Sequence, residues 1–590
     1  MKKLFFCVLL ICVFVFGAQG RSWAQDDLEL VIDLAANNTV ALPKIFKPSV
    51  DLSGRGFHRD SVWPQTIAAK EAVEQWHKDI GPGGFYRIQY NLWGIHQFSR
   101  DKEAQADLLA NYEGLIKNIS DMGGTVILNI FGTPAGAGRL LEKASVPKDM
   151  KAFKRAVKGV IRELSCVKKY NIWYELWNAP DINDFFLGRT QDYLNMYSSA
   201  AEAVNELEAE NNINIPLGGP SVSAWFRGVE ENTIATPERS LIYELIKFCY
   251  SRKLPLDFIS WHAYSSDPQV DLESTIYKKN VTALIRDWLT YFHLDSNLPL
   301  VVDEWSFDRD DNKAAERDEA SFIAASYIPA RLKYMHEAGV DGQAYFCLED
   351  FKHNKEGVFR NIGVFSYDSE RSVYKGRPKA VYSAFKALNW LQANLMPVKI
   401  SDEFAGVIAT RSKDGVALLV YNYIDPDAAL NYISRNIAGL EGGERSVIIN
   451  FIKSQKFKKL LGGQLDIAKL RVSARPKNIL KKAQELDARA KRYLDIPRSL
   501  KLSIRNLKGD FVYRRLVMDS SCAYDCKFLP AEEKEIAAAE IYEEPLVLKP
   551  YSVELILLKA KPKEPAEKVV AVDVALEQAK QSSSDAEEKR

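Results

Sequence analysis

Between residues 50 and 395, short apolar runs and amphipathic helical stretches alternate, and nothing else in the sequence limits the fold as strongly. The apolar runs fall near Gly54–Trp63, Phe85–Leu92, Thr125–Phe131, Ile172–Asn178, Ile215–Gly219, Phe258–His262, Leu298–Glu304 and Gly342–Cys347. Helical patterns lie between them, among them Asp101–Met122, Asp149–Lys169, Thr190–Glu210, Thr236–Arg252, Leu272–Phe292 and Ala314–Ala338. A buried strand followed each time by a helix is the pattern of a parallel sheet covered by helices. Eight such units in about 350 residues predict one closed (β/α)8 barrel. An open doubly wound sheet is the competitor, but no GxGxxG follows the first run. In such a barrel the chemistry sits at the C-terminal strand ends, so the polar residues closing each run are the candidates.

After residue 398 the pattern changes to short alternating runs with turn residues between them: Gly406–Arg411, Val416–Tyr423, Ser446–Phe451, Leu500–Leu507, Phe511–Met518 and Tyr551–Leu558. The expected fold class is therefore α/β, a (β/α)8 barrel over 50–397 followed by a β-sandwich accessory domain over 398–560. A strand from the segment 25–49, at Leu28–Asp33, is expected to join the sandwich. A helical, basic insertion over 453–492 carries 13 Lys and Arg against 3 Asp and Glu, in a chain with 79 against 78 overall. It reads either as a solvated hairpin or as a contact for an anionic surface. With the charges balanced over the whole chain, no global field favours nucleic acid. The tail over 561–590 is rich in Lys, Glu, Ala, Ser and Pro and is expected to be disordered.

The first residues, from Lys2-Lys3 through the apolar run Leu4–Phe16 to Ser22-Trp23-Ala24, form a signal-peptide pattern over 1–24. A membrane span needs about 20 apolar residues, so a cleaved leader and a secreted or periplasmic protein are expected, with an uncleaved anchor as the alternative. Cys522 and Cys526 are spaced to pair in an oxidising compartment. The seven His fall in no HExxH pattern, and neither a metal nor another cofactor is expected.

Two strand ends stand out. Trp173-Tyr174-Glu175-Leu176-Trp177-Asn178-Ala179-Pro180-Asp181 closes the fourth run, and Leu300-Val301-Val302-Asp303-Glu304-Trp305-Ser306 carries the seventh straight into two carboxylates. Carboxylates in such places cost desolvation unless they are paired or functional. An ion pair with Arg87 is the structural reading of either cluster taken alone.

These motifs resemble the retaining glycosidases built on a TIM barrel, and glycoside hydrolase family 39 most closely, which includes β-xylosidases and α-L-iduronidases. Asp257-Phe258-Ile259-Ser260-Trp261-His262-Ala263-Tyr264 resembles that family's strand-six segment, and Gly218-Gly219-Pro220 its strand-five end. The resemblance implies Glu304 as the nucleophile, Asn178 as the partner of a sugar 2-hydroxyl, and Arg87 as the cation keeping Glu304 ionised. It implies His262 and Tyr264 as subsite residues, Tyr264 positioning Glu304. Trp305, Trp261 and Trp93 are candidate stacking faces. An oligosaccharide, polysaccharide or glycoside substrate is implied.

The departure is Ala179, at the position where the family keeps its acid/base Glu. Glu175 matches a structural Glu of the family, leaving Asp181, Asp184 and Glu349 as candidate replacements. One reading is therefore a glycosidase with another source of acid. The others are a silent carbohydrate-binding barrel and a hydrolase inactivated by engineering.

Overall fold

The computed structural model describes residues 28–561 except 55–63, 65, 82, 98–100, 230–238, 273–278, 308–318, 353–358, 361, 367–375 and 528. The expected leader, nearly all of the expected tail and most of the run Gly54–Trp63 lie outside the described residues.

Eight parallel strands close into a barrel: Val50–Asp51, Phe85–Asn91, Thr125–Phe131, Ile172–Leu176, Leu217–Val222, Phe258–His262, Leu300–Trp305 and Gly342–Tyr345. The first strand corrects the expectation at Gly54–Trp63. It is only two residues long, and its pairings with Tyr86, Arg87 and Tyr345 come from distant parts of the chain. The surrounding helices begin where the sequence offers a cap. Asp101 accepts the Ala104 amide at 3.0 Å to start Lys102–Asp121, and Asp149 accepts Lys151 and Ala152 to start Met150–Ile161.

Alternation along each strand sends every second side chain to the barrel axis. The lowest axial layer is an apolar plug of Phe85, Ile127, Phe258 and Val301, with Trp173 packed against it. The Trp173 ring lies 5.1 Å from Phe85 and 5.2 Å from Phe258. Gly342 makes room for it, since a Cβ there would meet the Phe85 ring at 2.3 Å. One layer higher, the inward positions carry Arg87, Asn129, Glu175 and Asp303, all buried. The plug closes the bottom of the barrel, and the polar layer becomes the floor of its upper mouth.

Downstream, a seven-stranded and a three-stranded sheet enclose a second core. Leu28–Asp33 pairs in parallel with Arg498–Leu507, placing Leu28, Leu30 and Ile32 in that core. Cys522 and Cys526 form a disulfide in the loop after Phe511–Met518.

The expected strand at Ser446–Phe451 is a helix, Gly442–Ile452. Its buried residues there are Ile448 and Phe451, three apart, whereas Val447 and Ile449 are exposed. That spacing is helical, and the β-branched run masked it. The helical region is also longer than the expected insertion. Helices Ala428–Ile437, Gly442–Ile452, Gln455–Leu461 and Ala474–Asp495 share their own apolar cluster around Ile433, Ile448, Leu460 and Leu480.

The last of these helices is tied to the sandwich by charge. Arg489 reaches Asp402 at 2.7 Å and Glu403 at 2.6 Å, and Arg498 reaches Asp402 at 2.7 Å. Burial alone would raise the Asp402 carboxyl, but its hydrogen bond and ion pair with Arg498 hold it below the usual range. Breaking a buried pair from one side costs about 3–5 kcal/mol. Asp402→Asn is expected to lower the first unfolding transition in urea by roughly that amount. A depressed carboxylate stabilises above its unfolded pKa and ceases to do so as pH falls through its folded value. The wild-type advantage over Asp402→Asn is therefore expected at neutral pH and lost under acid conditions, below the ordinary carboxylate range.

Candidate active site

Arg87 stands at the centre of the upper mouth, at the inward position of the second strand, and is almost wholly buried. Its Nε donates to Glu175 at 2.8 Å; Nη1 donates to Asp51 at 2.8 Å and Glu304 at 2.6 Å; Nη2 donates to Asn178 at 2.7 Å and Ser221 at 3.0 Å. Asp303 lies 3.5 Å from Nε. One guanidinium thus faces four carboxylates in a low-dielectric space, and all four cannot stay ionised together. Burial, reinforced by the Glu175 charge, pushes Asp303 far above the carboxylate range, so it is the protonated member. Glu175 is also desolvated, but Arg87 outweighs this and holds it low.

Glu304 is the one of the four that retains some exposure. Tyr264 donates its hydroxyl to Oε2 at 2.7 Å, opposite the Arg87 bond to Oε1. Burial pushes the Glu304 carboxyl above its ordinary value, while Arg87 and Tyr264 pull it back. Tyr264 itself stays protonated, because burial and the neighbouring Glu304 charge push its pKa far up. His262 sits beside Glu304 in strand register, with Nδ1 3.4 Å from Oε2 and Nε2 3.0 Å from Ser221 Oγ. Burial and then Arg87 drive its pKa down to about 3, so it is neutral.

Two bulges build this mouth. On the seventh strand the pairing steps from Val302 to Glu304 opposite Trp261 and His262, leaving Asp303 as an extra residue. On the fifth it steps from Pro220 to Val222, leaving Ser221 extra, with a left-handed φ of 54°. A bulge re-aims the residues beside it. In consequence Asp303 and Glu304 both reach the Arg87 cluster although they are consecutive, and Ser221 turns in to Arg87, Asp303 and His262.

The same bulge corrects the expectation for Trp305 as a substrate-stacking face. The residue after Glu304 is sent outward, and Trp305 is fully buried against Tyr345 and Tyr327, its indole N–H bound to Gln343 at 2.8 Å. Trp261 is likewise fully buried, and Trp93 alone of the three candidates is half-buried. Asp51, Asn129 and Ser221 belong to the cluster but were not among the sequence candidates. The strand-end rule applied to Val50-Asp51 and Gly218–Ser221 holds the signal for two of them.

After the fourth strand the chain turns sharply, with left-handed φ at Trp177 (68°) and Ala179 (43°). Asn178 Oδ1 takes the Arg87 bond, and its Nδ2 makes no hydrogen bond among the described residues. Ala179 is buried, and its amide donates to Ser221 O at 2.9 Å. Two of the three candidate substitutes for a carboxylate here, Asp181 and Glu349, are engaged elsewhere. Asp181 accepts the Ser223 amide at 2.8 Å and its hydroxyl, and Glu349, fully buried, accepts the Ala69 amide at 3.0 Å. Asp184 is exposed on the loop beyond. Among the described residues no cluster of three His, Cys, Asp or Glu is arranged to hold a metal ion.

Comparison with known proteins agrees with this geometry. The profile described as "Glycosyl hydrolases family 39" matches residues 142–432, from the loop after the third barrel strand into the helical region. A β-xylosidase of Caldicellulosiruptor saccharolyticus is 24% identical over 423 residues, 65% of this chain and 80% of that protein. A β-xylosidase of Geobacillus stearothermophilus is 26% identical over 308 residues, 47% of this chain and about half (53%) of that relative. Among solved structures, a glucosidase from Croceicoccus marinus superposes with a TM-score of 0.60 at 16% identity, covering 91% of this chain and 100% of that one. A monomeric β-xylosidase from Caulobacter crescentus CB15 follows with a TM-score of 0.56 at 16% identity, covering 90% and 100%. The closed barrel and the profile match through its fourth to eighth strands support a relationship to glycosyl hydrolases family 39.

Proposed function

We propose that the chain is an exported protein that attacks O-glycosidic bonds by a retaining route, with Glu304 as nucleophile and no resident acid at position 179. The observation that carries this reading is the placement of Glu304. It lies at the barrel mouth, between Arg87 and Tyr264, its side chain keeping 8% exposure where the other three carboxylates have none. Glu304 would attack the anomeric carbon as the bond to the leaving oxygen breaks, giving a glycosyl-enzyme. Arg87 and Tyr264 orient the carboxylate, and the unused Asn178 Nδ2 is placed to donate to a sugar hydroxyl. The relatives' β-xylosidase activity makes xylosides the first sugars to try. Export rests on the leader pattern over 1–24.

Retaining hydrolysis ordinarily uses two carboxyl groups about 5–5.5 Å apart. With Ala179 in the second position, the leaving oxygen departs without a proton and water attacks without a base, and general acid–base help is worth about 10²–10⁴-fold. Leaving groups that are stable anions therefore remain within reach, while ordinary sugar alkoxides do not. The same observation favours a second reading, a carbohydrate-binding barrel without turnover, because Asp181 and Glu349 are committed to the loops.

Activated aryl xylosides separate the two. A burst of aryl alcohol is expected from the chain and not from Glu304→Ala; a burst surviving in that variant would refute the nucleophile assignment. Azide needs no general base, so it is expected to accelerate turnover and yield a glycosyl azide. Ala179→Glu is expected to restore poor leaving groups by about 10²-fold or more. Saturable sugar binding with no burst in either protein would establish the binding-module reading.

The pH profile supplies an independent check. The nucleophile must be ionised, so the burst rate is expected to fall as pH drops through the raised Glu304 pKa. With no acid to deprotonate, no alkaline limb is expected until Ala179→Glu introduces one, giving a bell-shaped profile.

A further inference from the structure

The excess positive charge of the region 453–492 divides into two sets in the folded protein. Lys482, Arg489 and Arg498 of the neighbouring strand turn inward and are consumed by Asp402 and Glu403. Lys453, Lys456, Lys458, Lys459, Arg471 and Arg475 are exposed and have no carboxylate partner among the described residues. Aliphatic side chains are exposed on the same small subdomain: Val447 at 38%, Ile449 at 37% and Leu494 at 44%, with Ile496 at 51% just beyond the last helix. Its aromatic rings are withheld, since Phe451, Phe457 and Tyr493 are buried and Tyr432 packs on the apolar cluster. No ring is therefore offered for a sugar to stack on.

The position of the N-terminal strand adds a second observation. Leu28 pairs with Leu500 in a parallel ladder, only a few residues after Ala474–Asp495 ends. Leu28, the first described residue of the N-terminal strand, is thus paired four residues beyond the exposed Ile496. Gln484 of the last helix donates to Leu460, so the lysine-bearing helix Gln455–Leu461 packs about 18 Å along that helix from Ile496 (1.5 Å per residue).

We propose that this helical subdomain is a docking face for an anionic lipid bilayer, its unpaired lysines and arginines meeting the headgroups and its exposed aliphatics entering the interface. Unpaired cations with exposed aliphatics and no exposed ring suit a lipid surface better than a sugar polymer. Among the described residues no helix is long and apolar enough to cross a membrane.

The test is sedimentation of the full chain with phosphatidylcholine vesicles and with vesicles mixing phosphatidylglycerol and phosphatidylcholine. The exposed aliphatic side chains contribute to both, so the ratio between them isolates the charge-dependent part. Tighter binding to the anionic vesicles, lost at high salt, is expected. Lys456→Gln/Lys458→Gln/Lys459→Gln should reduce that preference by roughly fivefold for each charge removed. The separate variant Lys453→Gln/Arg471→Gln/Arg475→Gln should act in the same direction. Equal binding to both vesicles, or a preference unchanged in both folded variants, would overturn the proposal. So would retention on immobilised polygalacturonate with no preference for anionic vesicles.

Discussion

The upper half of the barrel is organised by a single buried cation. Arg87 crosses the axis from the second strand and binds side chains from the first, fourth, fifth and seventh strands or their ends, so five segments distant in sequence are held in one register. A guanidinium in such a place survives only if its donors are used, and its planar fork is suited to this. The carboxylates in turn depend on it. Remove the cation, and Asp51, Glu175 and Glu304 become desolvated acids with no charge partner. The proton on Asp303 belongs to the same balance, because four anions around one cation is more negative charge than this volume can hold.

Glu304, the proposed nucleophile, is set apart from the other carboxylates by its surroundings. Glu175 is enclosed by Arg87 and Asn129, Asp51 by Arg87 and the Ser53 amide, and both are sealed from solvent. Glu304 alone has one oxygen on Arg87, the other on a tyrosine, and an approach from the mouth. Next to it, the turn through Trp177 and Ala179 is built and anchored although the side chain expected there is missing. The Ala179 amide is bonded to Ser221, Asp181 is bonded to Ser223, and Asn178 is fastened to Arg87. The turn is therefore fixed by its own hydrogen bonds and needs no carboxylate at position 179.

Much of the site was legible in the sequence because barrel chemistry collects at strand ends. Arg87, Asn178, His262, Tyr264 and Glu304 do meet around one space, as the motifs implied. The strands Thr125–Phe131 and Phe258–His262 were readable to the residue, since short, largely apolar runs between polar stretches leave little choice. Val50–Asp51 was not, because two residues carry no periodicity and their strand character comes wholly from neighbours. Ser446–Phe451 misled for a different reason. A β-branched run signals a strand locally, but packing against Ile433, Leu460 and Leu480 rewards helical spacing.

By itself, then, the sequence determined the order of strands and helices from the second barrel strand to the eighth, the residues available at those strand ends, and the absence of a carboxyl group at position 179. These depend on local pattern and on identity, which a chain carries before it folds. Only the tertiary structure decided which of those residues face one another. Two single-residue bulges, at Ser221 and Asp303, shift the strand register, and with it the face on which every following side chain emerges. That is why Glu304 points to Arg87 while Trp305 disappears into the wall. Contacts between distant segments likewise bind Asp181 to the Ser223 amide and Glu349 to the Ala69 amide. Register is a property of strand pairs, fixed by the hydrogen bonds and packing between segments far apart in the chain, so no single run of residues could contain it.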